Sequence, residues 1–573
     1  MNLAARKISL KKKLIFILPF LIALSNFLMV SGQTTYIPQN SPNYEALERM
    51  EIKSGNIRNS MFMELSPLRR DVFGVYINSM DSGQNLSKAD KFWNSYMKSD
   101  NQPYSDSAER YDAKHPWAWI YRSKANLYQV DNKNFHIYLN PVFDYEYGRE
   151  KGSKEPLSRN SKGVELRGDI DGKIGFYTYF TDNQVFYPSY IRNFTKTYAA
   201  VPGEGYWKPT YKGSDTSYLG NDFLSARGYI TYSPSDHIHL QFGNDRNFIG
   251  SGYRSLILSD FAKEYLFLKI NTQIWRINYQ NIFAQMTDYQ PNGVKPYPRK
   301  YAAIHTLSYD ATKWWNVSVT ESIIFHDGLG NGRGYELEYL NPIIFYRSAE
   351  HALGSPDNEI IGMNNDFLIC KHLKLYNQVI FDEFKIHELL SSRNWWGNKY
   401  GIQLGLKYID IFGLPNVDWQ IEANYIRPFT YTSDTSGKNF SQFRQALASP
   451  VGPNSEELIN IIRISTFAPL DIKLKYFYIR QGHALNGRDL GSDIMIPYTW
   501  ASTDHVYGNT MLQGDLVTTT IAEIQASYMI RHNLFLDFTY MDRVEKDKKI
   551  TFNKTNYFSI GIRMNFIKQN YEF

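Results

Sequence analysis

Two charge-dense stretches of this 573-residue sequence carry side chains whose types and spacing could do chemistry. The first, GNDRNFIGSGYRSLILSD from Gly243 to Asp260, sets Asp245, Arg246 and Arg254 around Gly250-Ser251-Gly252. The second, GRGYELEYLNPIIFYRSAE from Gly332 to Glu350, brings Arg333, Tyr335, Glu336, Glu338, Tyr346, Arg347 and Glu350 together. Arginine forks and carboxylates bind sugar hydroxyls or uronic acids through charge-assisted hydrogen bonds. Tyrosine rings cover the apolar side of a pyranose while the phenol bonds a hydroxyl. The competing reading of the second stretch is that its charges pair with one another and fill a polar interior, while Asp245, Arg246 and Arg254 are expected to point into that interior or its mouth. A phosphate-binding loop needs a helix N-terminus after the glycines, and the residues that follow, SLILSDFAKEYLFLKI, read as strand. Catalysis lacks its parts. His326-Asp327 has neither the spaced carboxylates of a calcium loop nor a partner motif for a metal, there is no GxSxG, and the chain is expected to be a non-enzyme without cofactor or metal.

The elements that would position these residues are strands. At the C-terminus Phe558, Ile560, Ile562, Met564 and Phe566 alternate with Ser559, Gly561, Arg563 and Asn565. About nine residues of such alternation match a tilted strand that crosses hydrocarbon with lipid on one side and water on the other. The pattern recurs. Ala522, Ile524, Ala526, Tyr528 and Ile530 form one face, and Leu534, Leu536, Phe538 and Tyr540 form the next after a short turn at Arg531–Asn533. Ile472, Leu474, Tyr476 and Tyr478 oppose Lys473 and Lys475. Leu266–Ile270 and Trp275–Tyr279 read as a hairpin turned near Asn271, and further strands are expected at 118–130, 134–148, 222–232, 237–245, 302–309, 314–325, 402–410, 417–428 and 459–467. Soluble strands average five or six residues, and these run longer. In lipid every backbone group must be satisfied internally, so the strands have to close into a barrel.

The first 32 residues carry Arg6, Lys7, Lys11, Lys12 and Lys13 ahead of an apolar run from Leu14 to Val30. This reads as a secretory signal peptide, with a retained anchor as the alternative. It holds five of the net six positive charges, so the remainder is near neutral and offers no nucleic-acid footprint. Cys370 is the single cysteine, which excludes an intramolecular disulfide framework. Residues 41–112 carry helix-spaced apolar positions. Ser41-Pro42 looks like an N-cap with proline at the first helical position, Ser87 and Asp90 form a capping-box variant, and Phe92, Trp93 and Tyr96 share a side.

Four blocks carry a resemblance: VELRGDIDGKIGFYTYFTDNQ (164–184), FGNDRNFIGSGYRSLILSD (242–260), the 332–350 stretch, and QALASPVGPNSEELI (445–459). In this order they resemble the Wzi-type outer-membrane capsule assembly proteins, whose Bacteroidetes relatives include proteins associated with gliding motility. The resemblance implies an all-β fold, a transmembrane antiparallel barrel of about 18 strands, with a helical bundle toward the periplasmic end. It implies capsular or exopolysaccharide as partner, held in lectin-like fashion, and the residues whose own chemistry suits that role are Asp245, Arg246, Arg254, Arg333, Tyr335, Glu336, Glu338, Tyr346, Arg347 and Glu350. A role in motility or adhesion with a surface-protein partner, and a porin-like channel, are the alternatives. The expected organisation is a signal peptide (1–32), a helical periplasmic region (33–112), an outer-membrane barrel (113–566) and a short tail (567–573).

Overall fold

The computed structural model describes residues 34–573 except 59, 81–85, 103, 106–120, 122, 133, 213–214, 291–292, 294, 327–333, 342–356, 384, 500–504 and 548–549. The expected signal peptide therefore lies outside the described residues. Eighteen antiparallel strands, each hydrogen-bonded to its neighbours in sequence, close into a barrel. They are β1 Phe135–Glu150, β2 Pro156–Ile170, β3 Ile174–Phe186, β4 Asp215–Ser235, β5 Ile238–Asp245 and β6 Tyr265–Ile274. Next come β7 Ile277–Thr287, β8 Arg299–Tyr309, β9 Trp315–His326, β10 Asn358–Cys370, β11 Leu373–Glu383 and β12 Lys399–Tyr408. The last six are β13 Val417–Ile426, β14 Ser455–Ile464, β15 Leu470–His483, β16 Asp515–Arg531, β17 Leu534–Lys546 and β18 Thr551–Met564. Closure is made by β18 against β1, with Met564 opposite Phe143.

The alternation that built this expectation is the one the wall uses. Ile524, Tyr528, Ile530, Leu536, Phe538, Tyr540, Phe558, Ile560 and Ile562 are all exposed on the outside, as residues facing lipid must be. Lys475, on the opposite face, is buried between Glu523 and Glu572. Tight turns such as Asp171-Gly172, both with positive φ, join strands at one end, and long connections join them at the other. That asymmetry is the outer-membrane pattern of short periplasmic turns and long outer loops.

Three helices, α1 Pro42–Ser54, α2 Arg70–Ser79 and α3 Lys88–Asp100, follow the expected caps: Ser41 accepts from the Asn43 N–H, and Ser87 with Asp90 forms a reciprocal capping box. They enter the barrel at the short-turn end. Ile57 N–H donates to the carbonyl of Lys313 in the β8–β9 turn at 2.8 Å, and Met50, Phe73, Trp93 and Met97 form an apolar centre that also takes in Phe535 of β17. Ion pairs also tie them to the wall: Arg49 reaches Asp410 and Asp418, Glu51 meets Lys374 at 3.1 Å, Glu48 meets Lys407, and Glu45 meets Lys473 and Arg463.

Three expectations are corrected. The β6–β7 turn falls at Trp275-Arg276, where Trp275 takes φ 56°, and the strand runs on through Asn271 to Ile274. Of the 118–130 stretch, only Tyr128 onward pairs as strand, against β1, while 121 and 123–127 do not, and 118–120 and 122 lie outside the described residues. Phe566 does not continue the outer face of the last strand. Asn565 takes φ 51° and turns the chain inward, so Phe566 packs beside Tyr36, Tyr177, Tyr179 and Tyr229 inside. The remaining tail runs up the lumen, with Lys568 at 3.1 Å from Asp537 and Glu572 at 2.5 Å from Lys475.

Candidate functional site

The glycine-rich stretch following β5 folds into the barrel instead of out of it. Leu256, Ile257 and Leu258 join Phe62, Leu65, Ile304, Ile380, Tyr431, Phe440 and Leu447 in a buried apolar centre within the lumen. A second inward connection, between β13 and β14, supplies Tyr431, whose hydroxyl donates to the Leu256 carbonyl at 2.7 Å. Glycine is required where the first loop grazes the wall. A Cβ at Gly252 would lie 2.6 Å from the Glu422 carboxylate, and Gly250, at φ 144°, would set one 2.3 Å from Gln378.

This placement explains Asp245, Arg246 and Arg254. All three are buried in the lumen. Arg254 donates to Glu457 at 3.0 Å and to the Glu572 carbonyl, its backbone N–H donates to Glu422, and its guanidinium lies over Tyr253 and Phe477. Burial opposes its charge, but Glu457 outweighs that and holds it protonated above the usual arginine range. Arg246 donates to the Gly203 carbonyl and lies 3.6 Å from Glu264. Arg246 and Arg254 thus tie the inward loop to its neighbours, with Asp245 buried alongside.

The second cluster is placed elsewhere. Arg333, Tyr346, Arg347 and Glu350 lie outside the described residues. Tyr335 packs edge-on against Tyr301, Phe325 and Phe283, and Tyr339 is fully buried against Phe325 with its hydroxyl 2.6 Å from Asp357. Those partners form an apolar cluster separate from the lumenal one, on the outward-pointing odd positions of β7, β8 and β9. Residues 334–341 are thus a strap laid on the outside of the wall, with Glu338 and Leu337 exposed, and they do not line the lumen. Outward aromatics Tyr301, Phe283 and Phe325 prefer apolar cover, and the two strap tyrosines provide it.

The surface suited to a ligand stands at the long-loop end and was not singled out from the sequence. Trp395 and Trp396, between β11 and β12, have ring centroids 5.7 Å apart, and Trp396 lies 4.5 Å from Tyr498 of the β15–β16 connection. Lys385 sits 4.7 Å from the Trp395 ring, Arg393 lies 4.7 Å from the Tyr507 ring and also pairs with Glu388. Main-chain bonds stitch the loops together: Trp396 N–H to the Val506 carbonyl at 3.1 Å, Gly508 N–H to Arg393 at 2.9 Å and Asn509 N–H to Asn394 at 3.0 Å. Beneath them buried Lys399 donates to the Thr432 carbonyl at 3.1 Å and lies 4.3 Å from the Tyr498 ring. The result is a half-exposed aromatic shelf flanked by one carboxylate and two cations. The sequence signal for it was the Trp395-Trp396 pair inside SSRNWWGN, a turn-rich segment between two strands.

With this geometry in view, the fold can be compared with solved structures. Wzi of Escherichia coli, an outer-membrane protein involved in group 1 capsule assembly and described as a carbohydrate-binding β-barrel, superposes with a TM-score of 0.57 at 13% identity, over 93% of this chain and 100% of its own. OprD of Pseudomonas aeruginosa gives 0.41 at 11% identity, over 74% of this chain and 94% of its own. OccAB2 of Acinetobacter baumannii gives 0.40 at 9% identity, over 75% and 97%. No protein-family model and no curated protein matches by sequence. The fold is that of an outer-membrane β-barrel of the Wzi kind. No helix among the described residues is long and apolar enough to cross a membrane, and the strands do the crossing.

Proposed function

We propose that this protein is a non-catalytic, lectin-like barrel that holds capsular or exopolysaccharide at the cell surface. The observation that carries the reading is the shelf of Trp395, Trp396, Tyr498 and Tyr507 with Lys385, Glu388 and Arg393 at its edge. Ring faces take up the C–H side of a pyranose, while the carboxylate and the cations bond hydroxyls and uronates. Each such contact is weak, and a repeating polymer makes many at once, so avidity supplies retention. Among the residues chosen from sequence, Glu338 is exposed on the strap and serves as an outlying contact, while Asp245, Arg246 and Arg254 act by holding the inward loop. The carbohydrate binding described for Wzi lends support. A porin-like role is disfavoured by the loops, helices and tail that occupy the lumen.

The test is tryptophan-fluorescence titration of the purified barrel with surface polysaccharide from the same cells. Replacing Trp395 and Trp396 by alanine is expected to weaken binding at least tenfold while heat-modifiable migration of the folded barrel is retained. Binding unchanged in that variant removes the shelf from the proposal. A deletion strain that keeps its polysaccharide but loses spreading or adhesion transfers the role to a surface-protein partner.

A further inference from the structure

On the outside of the wall, a groove lies across four neighbouring strands. Strand register sets Leu404 of β12, Ala423 of β13, Leu458 of β14 and Tyr478 of β15 side by side. One step toward the long-loop end the same strands set Ile402, Tyr425, Glu456 and Arg480 side by side. Alanine in a row of leucines and a tyrosine leaves a dent, and these eight residues line an open groove of about 320 Å³. Its floor and flanks are apolar and its upper end carries a charged pair, with Arg480 Nη1 3.1 Å from Glu456 Oε2 and both side chains about a third exposed.

We infer that the groove holds one acyl chain of a phosphate-bearing lipid of the outer leaflet, with the phosphate on Arg480. The floor lies within the band of lipid-facing positions, so water gains nothing by filling it and a hydrocarbon chain does. The groove's upper end carries Tyr425 level with Glu456 and Arg480, as at the height where barrels place their aromatic girdle and lipids their headgroups. An arginine has five N–H donors. Glu456 takes the edge at Nη1 and holds the fork over the groove, and the other donors present the planar, bidentate geometry that suits a phosphate. The long-loop end faces the outer leaflet, so the occupant comes from that leaflet.

Native mass spectrometry of the whole barrel, released from detergent after incubation with lipid A, with the same lipid lacking its phosphates, or with neither, tests this. The wild-type protein is expected to retain the phosphorylated lipid about tenfold better than the dephosphorylated one. Arg480→Gln should abolish that preference while leaving dephosphorylated lipid as before, and Ala423→Phe, which fills the dent, should lose both. Should Ala423→Phe fail to insert, Ala423→Leu fills the same space with less bulk and takes its place. Polysaccharide titration of all variants should match wild type, which separates failure here from failure of the lectin reading. Equal retention of the two lipids by wild type, an undiminished preference in Arg480→Gln, or wild-type retention in a groove-filled variant would overturn the assignment.

Discussion

Arg254 shows how a charge chosen as a ligand contact can instead be framework. It is buried with Glu457 and the Glu572 carbonyl, beside Glu422. Arg254→Ala leaves carboxylates uncompensated and is expected to cost about 3–5 kcal/mol, seen as a lower midpoint in thermal heat-modifiability assays, whereas Arg254→Met with Glu457→Leu should cost clearly less. A second prediction concerns pH and the seating of the N-terminal helices. Burial, with Asp366 adding to it, pushes Glu64 up to about 8. Between its ordinary value near 4.5 and 8 the seated segment keeps a proton that the released one has lost, so seating weakens as pH rises through that window. Glu45 behaves oppositely. Burial opposes its charge, yet Lys473 and Arg463 hold it down to about 2, so their contribution is lost as pH falls from 4.5 toward 2. The urea midpoint for release, followed by fluorescence across pH, should be bell-shaped, and Glu64→Gln should flatten the alkaline limb alone. That the helices carry charged residues was legible in the sequence, but the partner of each charge was not, since Glu45 and Lys473 are joined only by closure of the barrel.

At the scale of elements, those that depend on neighbours along the chain were readable and those that depend on distant ones were not. The caps at Ser41 and Ser87 and the alternation of β15 to β18 follow from local geometry. The β6–β7 turn was misplaced by four residues because Asn271 is a better turn former in isolation than Trp275, and pairing of Ile274 with Ile277 decides the matter. The tail was read as an appendage because nothing local tells a polar strand end from a segment bound inside. It carries a prediction. Removing residues 566–573 deprives Lys475 and Arg254 of Glu572 and Arg543 of the Phe573 carbonyl. The inward loop should then loosen, and limited trypsin digestion in detergent should cleave at Arg254 at least tenfold faster than in the intact barrel, with the wall strands still resistant.

The molecule as a whole is a cylinder whose lumen is occupied from both ends: helices and tail from the short-turn side, the β5–β6 and β13–β14 connections from the other. A cavity of about 330 Å³ remains between them, lined among others by Glu45, Arg70, Lys374 and Arg463. Planar-bilayer recordings of the intact protein should therefore show no steady conductance, and removal of residues 248–262, the inward loop, should produce stable channels. An intact protein that conducts steadily would place function in the lumen and not on the rim. By itself the sequence determined the class of structure, since period-two alternation with lipid-compatible residues on one face permits little except a closed antiparallel wall. Only the tertiary structure decided which charges face a ligand and which face one another. Whether Arg254 points at solvent or at Glu457, and whether Tyr335 lines the lumen or covers the outer wall, depends on which way long loops fold, and that is settled by contacts between residues hundreds of positions apart, which local sequence does not encode.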